Sequence, residues 1–521
     1  MRKLIIFASS ILCCGIAVAA DWLTDGGDIY RSGWVTDETI LTKSNIKNLK
    51  LLWKVQTGNQ VRALHALMEP LVLGSVPTGD GAKEMAYVVG ASDNLYAIDV
   101  KAGKIAWQKH FTYTPPAGGG FPGGGNPNAN NDPAHLGFLG PGGSTDTPVI
   151  GPPESNGHRP IYVTDGGGML HTLDSANGED LKAPFALGTS KFALQLHKNM
   201  VVFAGRGGID ATRLDDPEHK VIHTVGMGRS GGLWGVRGPA IDSRGIVWST
   251  TGDGQYDPSN PDNLILANSV VGFELTGDHF KVKDWYTPTN WEWLLKRDLD
   301  PNNTPTIFTY KGKEVIAASG KECRMYLLDP LSPGGSDHQT PTFKTEPFCN
   351  EEVDFQDAGS WGALSSWQDG AGTRWVIAPF WGPVHSKYKF PINNAPAPKE
   401  GGEAAFRVVE NNGKPELAPV WVSRDMFRGA PPVIANGMVF AYGSGEETKQ
   451  AWPDLGLNFD SFIRAARSKH VTIYVLDAMN GNELWSSGDQ ITSFNHMSGL
   501  TVANGKLYLG TYDGYIYCFG L

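Results

Sequence analysis

The chain has 521 residues, with 44 basic against 54 acidic side chains and a formal net charge of −10. That balance excludes a protein that grips nucleic acid or anionic membrane through a basic face. Its 65 glycines and 34 prolines, with hardly any apolar spacing of three and four, exclude a helical architecture and favour many short strands joined by turns.

Residues 1–20 begin with Arg2 and Lys3, continue through an apolar run from Leu4 to Val18 and close on Ala19-Ala20. This is the pattern of a secretory signal peptide, expected to be removed before Asp21 and to deliver a secreted, periplasmic protein with no membrane span. Cys13 and Cys14 follow Ser10-Ile11-Leu12, a poor match to a lipobox. Removing the segment takes away two positive charges, so 42 basic against 54 acidic residues leave −12.

Asp21 to Asn48 is an irregular lead-in, expected to pack Trp22 and Trp34 across the fold. Leu49 to Thr57, LKLLWKVQT, is a strand with no neighbour in sequence. Tyr87 to Trp107, YVVGASDNLYAIDVKAGKIAW, then sets a template of three short antiparallel strands. Asp99 opens its second turn by accepting backbone N–H bonds, Gly103 closes it, and a Trp ends the next strand. Copies lie at Ile161 to Gly178, Met325 to Gly334, Ile473 to Trp485 and Leu507 to Phe519. Weaker ones lie at Val201 to Val225, Val247 to Trp285 and Trp375 to Trp421.

Such a unit has two apolar faces and needs a copy on either side, which argues for one closed array. The expected fold is all-β: a single eight-bladed β-propeller domain over residues 21–521, of four-stranded antiparallel blades, its ring closed by the N-terminal strand. Long inserts interrupt the repeat. The Gly/Pro/Asn-rich stretch from Thr114 to Gly143 is a surface loop or a lid carrying Phe121 or Phe138. Pro391 to Gly402 and Gly443 to Ala466 are further inserts, the last with a short helix around Phe459 to Arg467.

Past the signal segment only Cys323, Cys349 and Cys518 remain. In an oxidising compartment a Cys323–Cys349 disulfide is expected, worth roughly 3 kcal/mol by loop closure, while Cys518 lies in a strand as a buried spectator. No C-x-x-C-H haem site is present, so an electron taken up here must leave through a separate acceptor.

Chemistry concentrates between Gly231 and Asp300, where carboxylates and Asn crowd among aromatics. Asp253, Asp257, Asn260 and Asp262 offer the oxygen ligands that Ca²⁺ takes, and equally the side chains that form solvated turns.

The lead-in D-W, the repeated Y-x-x-D-x-x-x-G-x-x-x-W unit and the segment from Trp234 to Trp293 resemble the pyrroloquinoline quinone (PQQ) type propeller family. That family holds periplasmic quinoprotein alcohol dehydrogenases and also non-catalytic scaffolds. The resemblance implies that Trp234 in L-W-G-V is the floor on which the planar quinone stacks. Asp253 in T-G-D would be a ligand of the Ca²⁺ that polarises the quinone, and Lys321 in S-G-K the cation contacting the quinone oxygens.

The sequence also departs from the pattern. Asn290 in T-P-T-N-W-E stands at the family's Asp base, and an amide cannot take a hydroxyl proton. Asp298, Asp300 and Glu292 are the acids that could replace it. The adjacent-cysteine disulfide of many such enzymes is missing, Gly143 to Thr147 holding neither Cys nor Arg, and Ser360 replaces an Asn in G-S-W-G. Two functions are therefore open: oxidation of an alcohol, sugar or polymer hydroxyl with PQQ and Ca²⁺, or a PQQ-like propeller kept as a binding or assembly scaffold.

Overall fold

The computed structural model describes residues 20–113, 143–188, 190–205, 207–216, 218–350, 358–449, 451–452, 457–458 and 461–521. The expected signal peptide up to residue 19 and the bulk of the 114–143 insert lie outside them.

The fold is the expected eight-bladed propeller. Blade one runs Leu71–Thr78, Gly81–Gly90, Asn94–Asp99 and Lys104–His110 in simple antiparallel order. Each of the eight sequence copies falls in its own blade, the remaining seven starting at Val149, Lys191, Leu233, Thr306, Ser365, Gly429 and Leu500. The copies show three strands because the innermost strand of each blade precedes the repeated motif. Blade eight takes its outermost strand from Lys50–Gln56, paired antiparallel with Tyr515–Gly520, and this closes the ring.

The repeat chemistry explains how neighbouring blades lock. Asp99 Oδ1 accepts the N–H of Ala102, and Asp477 Oδ1 that of Met479. These turns end on glycines that receive the indole of the preceding blade. A Cβ on Gly103, at φ +60, would lie 2.9 Å from Trp53 Cγ. Trp53 Nε1 donates to Val100 O at 2.9 Å, and Trp421 Nε1 to Ala478 O at 3.0 Å. Trp53, Trp107 and Trp421 are thus contacts to the next blade, Trp107 lying 2.6 Å from where a Cβ on Gly178 would sit.

The lead-in does more than pack two tryptophans. Trp22 pairs with Val72 of blade one, and the O atoms of Leu23, Ile29, Tyr30, Ser32 and Gly33 accept N–H bonds from Ile150, Ile241, Ile307, Ser366 and Ile434. Arg31, fully buried, reaches Leu194 O of blade three, and Glu38 accepts the N–H of Gly505 in blade eight. One segment therefore bonds to all eight blades. Trp22 is 1% exposed and donates to Glu69, while Trp34 pairs with Ile434 in blade seven.

The expected helix in the last insert spans Ser461–Arg467. Cys323 and Cys349 form the expected disulfide, and Cys518 is free and buried. No helix among the described residues is long and apolar enough to cross a membrane.

Candidate functional site

The irregular segments between blades four and five, together with the turn after the second strand of blade five, build one cluster. Past the strand Val247–Thr251 the chain turns at Gly252 and places Asp253. After the strand His279–Tyr286 a five-residue helix, Trp291–Leu295, carries it to Asp298, whose φ of +54 redirects the backbone into Asp300. The turn after Lys313–Ser319 supplies Lys321. That turn is fixed on both sides: Lys321 N–H donates to Asp300 O at 3.2 Å, and Asn350 Nδ2 donates to Lys321 O at 2.8 Å. The disulfide joins Cys323 to Cys349, one residue before that asparagine.

Carboxylate oxygens of Asp253, Asp298 and Asp300 all lie within 4.8 Å of one another. The Lys321 ammonium, its side chain 4% exposed, is 2.6 Å from Asp298 Oδ1 and 2.6 Å from Asp300 Oδ1. The first contact is a hydrogen bond; the second is a close ion pair outside hydrogen-bond geometry. Lys321 also lies 5.8 Å from the centre of the Trp234 ring and 5.5 Å from that of Trp361, within cation–π range.

Three carboxylates thus share one ammonium. Burial, then the charges of Asp300 and Asp298, push the Asp253 carboxyl up to about 9, with Lys321 pulling against them. Burial likewise raises Asp300 above the ordinary carboxylate range, offset in part by Lys321. Burial alone would lower the Lys321 ammonium, but the Asp300 and Asp298 charges outweigh it and hold it above its usual value. Asp253 Oδ1 and Asp300 Oδ1 are buried without a hydrogen-bond partner, as are Asn268 Oδ1 and both polar atoms of the Asn302 side chain. Such orphans are rare in a folded interior and mark a place for a ligand or ion. The three carboxylates, an all-oxygen set, suit a hard cation.

Trp234 pairs with Thr250 at the inner edge of blade four. Its indole rests against Gly252, where a Cβ would come within 2.2 Å of Trp234 Nε1. Phe192 and Trp361 flank the ring at 5.8 Å each, and Trp381 stacks on Trp361 at 5.4 Å.

The structure therefore gathers Trp234, Asp253 and Lys321 as expected, and adds Asp298 and Asp300. The other candidates lie apart from that cluster. Asp257, Asn260 and Asp262 are exposed turn residues, and the carboxylate cluster includes neither Asp257 nor Asp262. Asp257 Oδ1 caps Ser259 N–H and Asn260 Oδ1 caps Asp262 N–H, so the turn reading holds for them. Asn290 turns toward blade five, where Nδ2 donates to Glu322 Oε1 at 2.9 Å. The intervening helix carries the chain on to Asp298, whose side chain is 55% exposed. Ser360 accepts from Asn303 Nδ2 at 2.8 Å and supports the segment behind the cluster. Trp361, the residue after it, was the missed member, although its G-S-W-G context was visible.

No family model and no curated protein matches the sequence. Solved structures do match the fold. A europium-containing methanol dehydrogenase superposes with a TM-score of 0.56 at 14% identity, over 96% of this chain and 98% of that one. The quinohemoprotein alcohol dehydrogenase of Comamonas testosteroni gives 0.56 at 14% identity, over 96% of this chain and 80% of that one. Quinohemoprotein alcohol dehydrogenase ADHIIG of Pseudomonas putida HK5 gives 0.54 at 13%, with the same coverage. The chain has the fold of a PQQ-type, quinoprotein alcohol dehydrogenase-like β-propeller.

Proposed function

We propose that this protein is a periplasmic quinoprotein-like oxidoreductase, acting on an alcohol, sugar or polymer hydroxyl at the Asp253, Asp298, Asp300 and Lys321 cluster. The observation that carries the reading is the shortage of positive charge there: three carboxylates within 4.8 Å share one buried ammonium. A cation held by the three would remove their repulsion and give the buried Asp253 Oδ1 a partner. Ca²⁺ suits the ligand set, and a trivalent lanthanide suits its acidity. When bound, a quinone held on Trp234 would accept the substrate's two electrons while the cation polarises it.

The chain's own residues divide the remaining work. Lys321 holds positive charge where an oxyanion develops. Asp300, buried, fixes Lys321 and the cation. Asp298, the exposed member, is the carboxylate that solvent and substrate reach, and it is placed to accept the hydroxyl proton. Asn290 has no part in that step. No haem-binding motif accompanies the site, so a separate acceptor would take the electrons onward.

The test is reconstitution. Protein incubated with PQQ and Ca²⁺ or La³⁺, then desalted, is expected to retain quinone absorbance and to reduce dye with hydroxyl substrates. Trp234→Ala and Lys321→Ala should lose the retention, and Asp298→Asn should keep it but lose dye reduction. Absence of retention with either cation would overturn the reading and leave the scaffold alternative.

A further inference from the structure

The turn that presents Lys321 to the carboxylates presents its neighbour, Glu322, to the opposite side. There, between blades four and five, lies a cavity of about 230 Å³ lined by Tyr286, Thr289, Asn290, Arg324, Tyr326 and Lys344. We propose that this cavity is a binding site for a small oxyanion, a carboxylate or a phosphate, separate from the cation and quinone site.

The argument is a count of donors and acceptors. Glu322 is buried and its oxygens are spoken for: Oε1 accepts from Asn290 Nδ2 at 2.9 Å and Arg324 Nε at 3.1 Å, and Oε2 from Tyr326 Oη at 3.3 Å. Glu322, which does not itself line the cavity, therefore fixes three of the lining residues in place and offers a ligand little. Tyr286, 5.1 Å from Tyr326 between ring centres, completes the aromatic wall.

On the ligand side the surplus is of donors. Lys344 is exposed at the mouth and makes no ion pair or side-chain hydrogen bond among the described residues. Arg324 Nε is taken by Glu322, Nη1 donates to Thr345 O at 2.8 Å and meets Glu346 at 3.2 Å, and Nη2 makes no hydrogen bond to protein among the described residues. Glu346 is 82% exposed and can turn into solvent when a better acceptor arrives. Thr289 adds a hydroxyl. The Arg324 Nη2 edge, an ammonium and a hydroxyl around a small cavity match the oxygens of a carboxylate or phosphate.

The site also explains Asn290. At that position an Asp would set a second carboxylate against Glu322, whereas the amide donates to it and keeps the cavity short of negative charge.

Calorimetric titration of the whole protein at low salt, with malonate in one arm and inorganic phosphate in the other, tests this and tells the two sources apart. Saturable binding of at least one is expected. Lys344→Glu should weaken it about tenfold or more, the loss of one charge-assisted contact, while Lys344→Arg keeps it. Asp298→Asn, on the other side of the turn, should leave it unchanged. No saturable binding of either anion would overturn the proposal. So would binding that survives Lys344→Glu, or binding that changes with Asp298→Asn, because the anion would then sit at Lys321. The readout is binding alone, so failure of the quinone reading would not affect it.

Discussion

Two clusters of buried charge in this propeller differ in one respect, their balance. In the first, Asp253, Asp298 and Asp300 share Lys321, and buried oxygens are left without partners. In the second, Glu446 is one carboxylate between an arginine and a histidine: Oε1 takes Arg464, and Oε2 faces His496 Nδ1 at 2.7 Å. Burial would raise Glu446, but the His496 and Arg464 charges hold it below the ordinary carboxylate value, whereas Asp253 is driven up. A balanced cluster holds loops together by itself. An under-neutralised one costs stability unless something binds.

The largest expected effect breaks the balanced cluster. Glu446→Ala would remove the buried carboxylate that Arg464 Nη2 donates to and should destabilise the protein by about 3–5 kcal/mol, read by chemical denaturation with cation affinity unchanged. Next, Asp300→Asn should behave in the opposite way. Without cation its stability should match or exceed that of the parent, because a buried like-charge contact is gone. It should also lose the stabilisation the parent gains from cation, about 2.7 kcal/mol at one hundred times the dissociation constant.

The pH dependence sharpens the same contrast. Glu446 has a folded pKa below its unfolded value, so the folded state binds fewer protons across that interval. Its contribution is present above the unfolded value near 4.5 and is lost as pH falls through the lowered folded value. The acid limb of a stability profile should therefore flatten in Glu446→Gln. The smallest effect concerns Asn290→Asp. A carboxylate there would face Glu322, so a loss of about 1–2 kcal/mol in thermal or chemical denaturation is expected, with no gain in cation affinity.

The sequence carried most of the fold because the blade motif is local. Asp99, Gly103 and Trp107 lie within one short stretch, and each has a single role that its residue type discloses. The closing strand Lys50–Gln56 was legible as a strand lacking a neighbour. What the lead-in does was not, since its bonds to six of the blades come from backbone atoms that any sequence supplies, while those to blades three and eight use the side chains of Arg31 and Glu38.

The site was legible in part. Trp234, Asp253 and Lys321 stand in short motifs on regular blades and do meet. Asp298 and Asp300 were named only as substitutes for a base, because their place depends on the length of one helix and a turn at positive φ. Asp257, Asn260 and Asp262 have the right atoms but use them on their own turn, which residue type alone does not distinguish.

The most direct measurement of the central claim is titration with Tb³⁺, read by emission sensitised through nearby indoles such as Trp234 and Trp361. The account predicts saturable emission that Ca²⁺ or La³⁺ displaces, that Asp253→Asn and Asp300→Asn abolish and that Glu446→Gln leaves intact. Emission that never saturates, or that persists in Asp300→Asn, would contradict it.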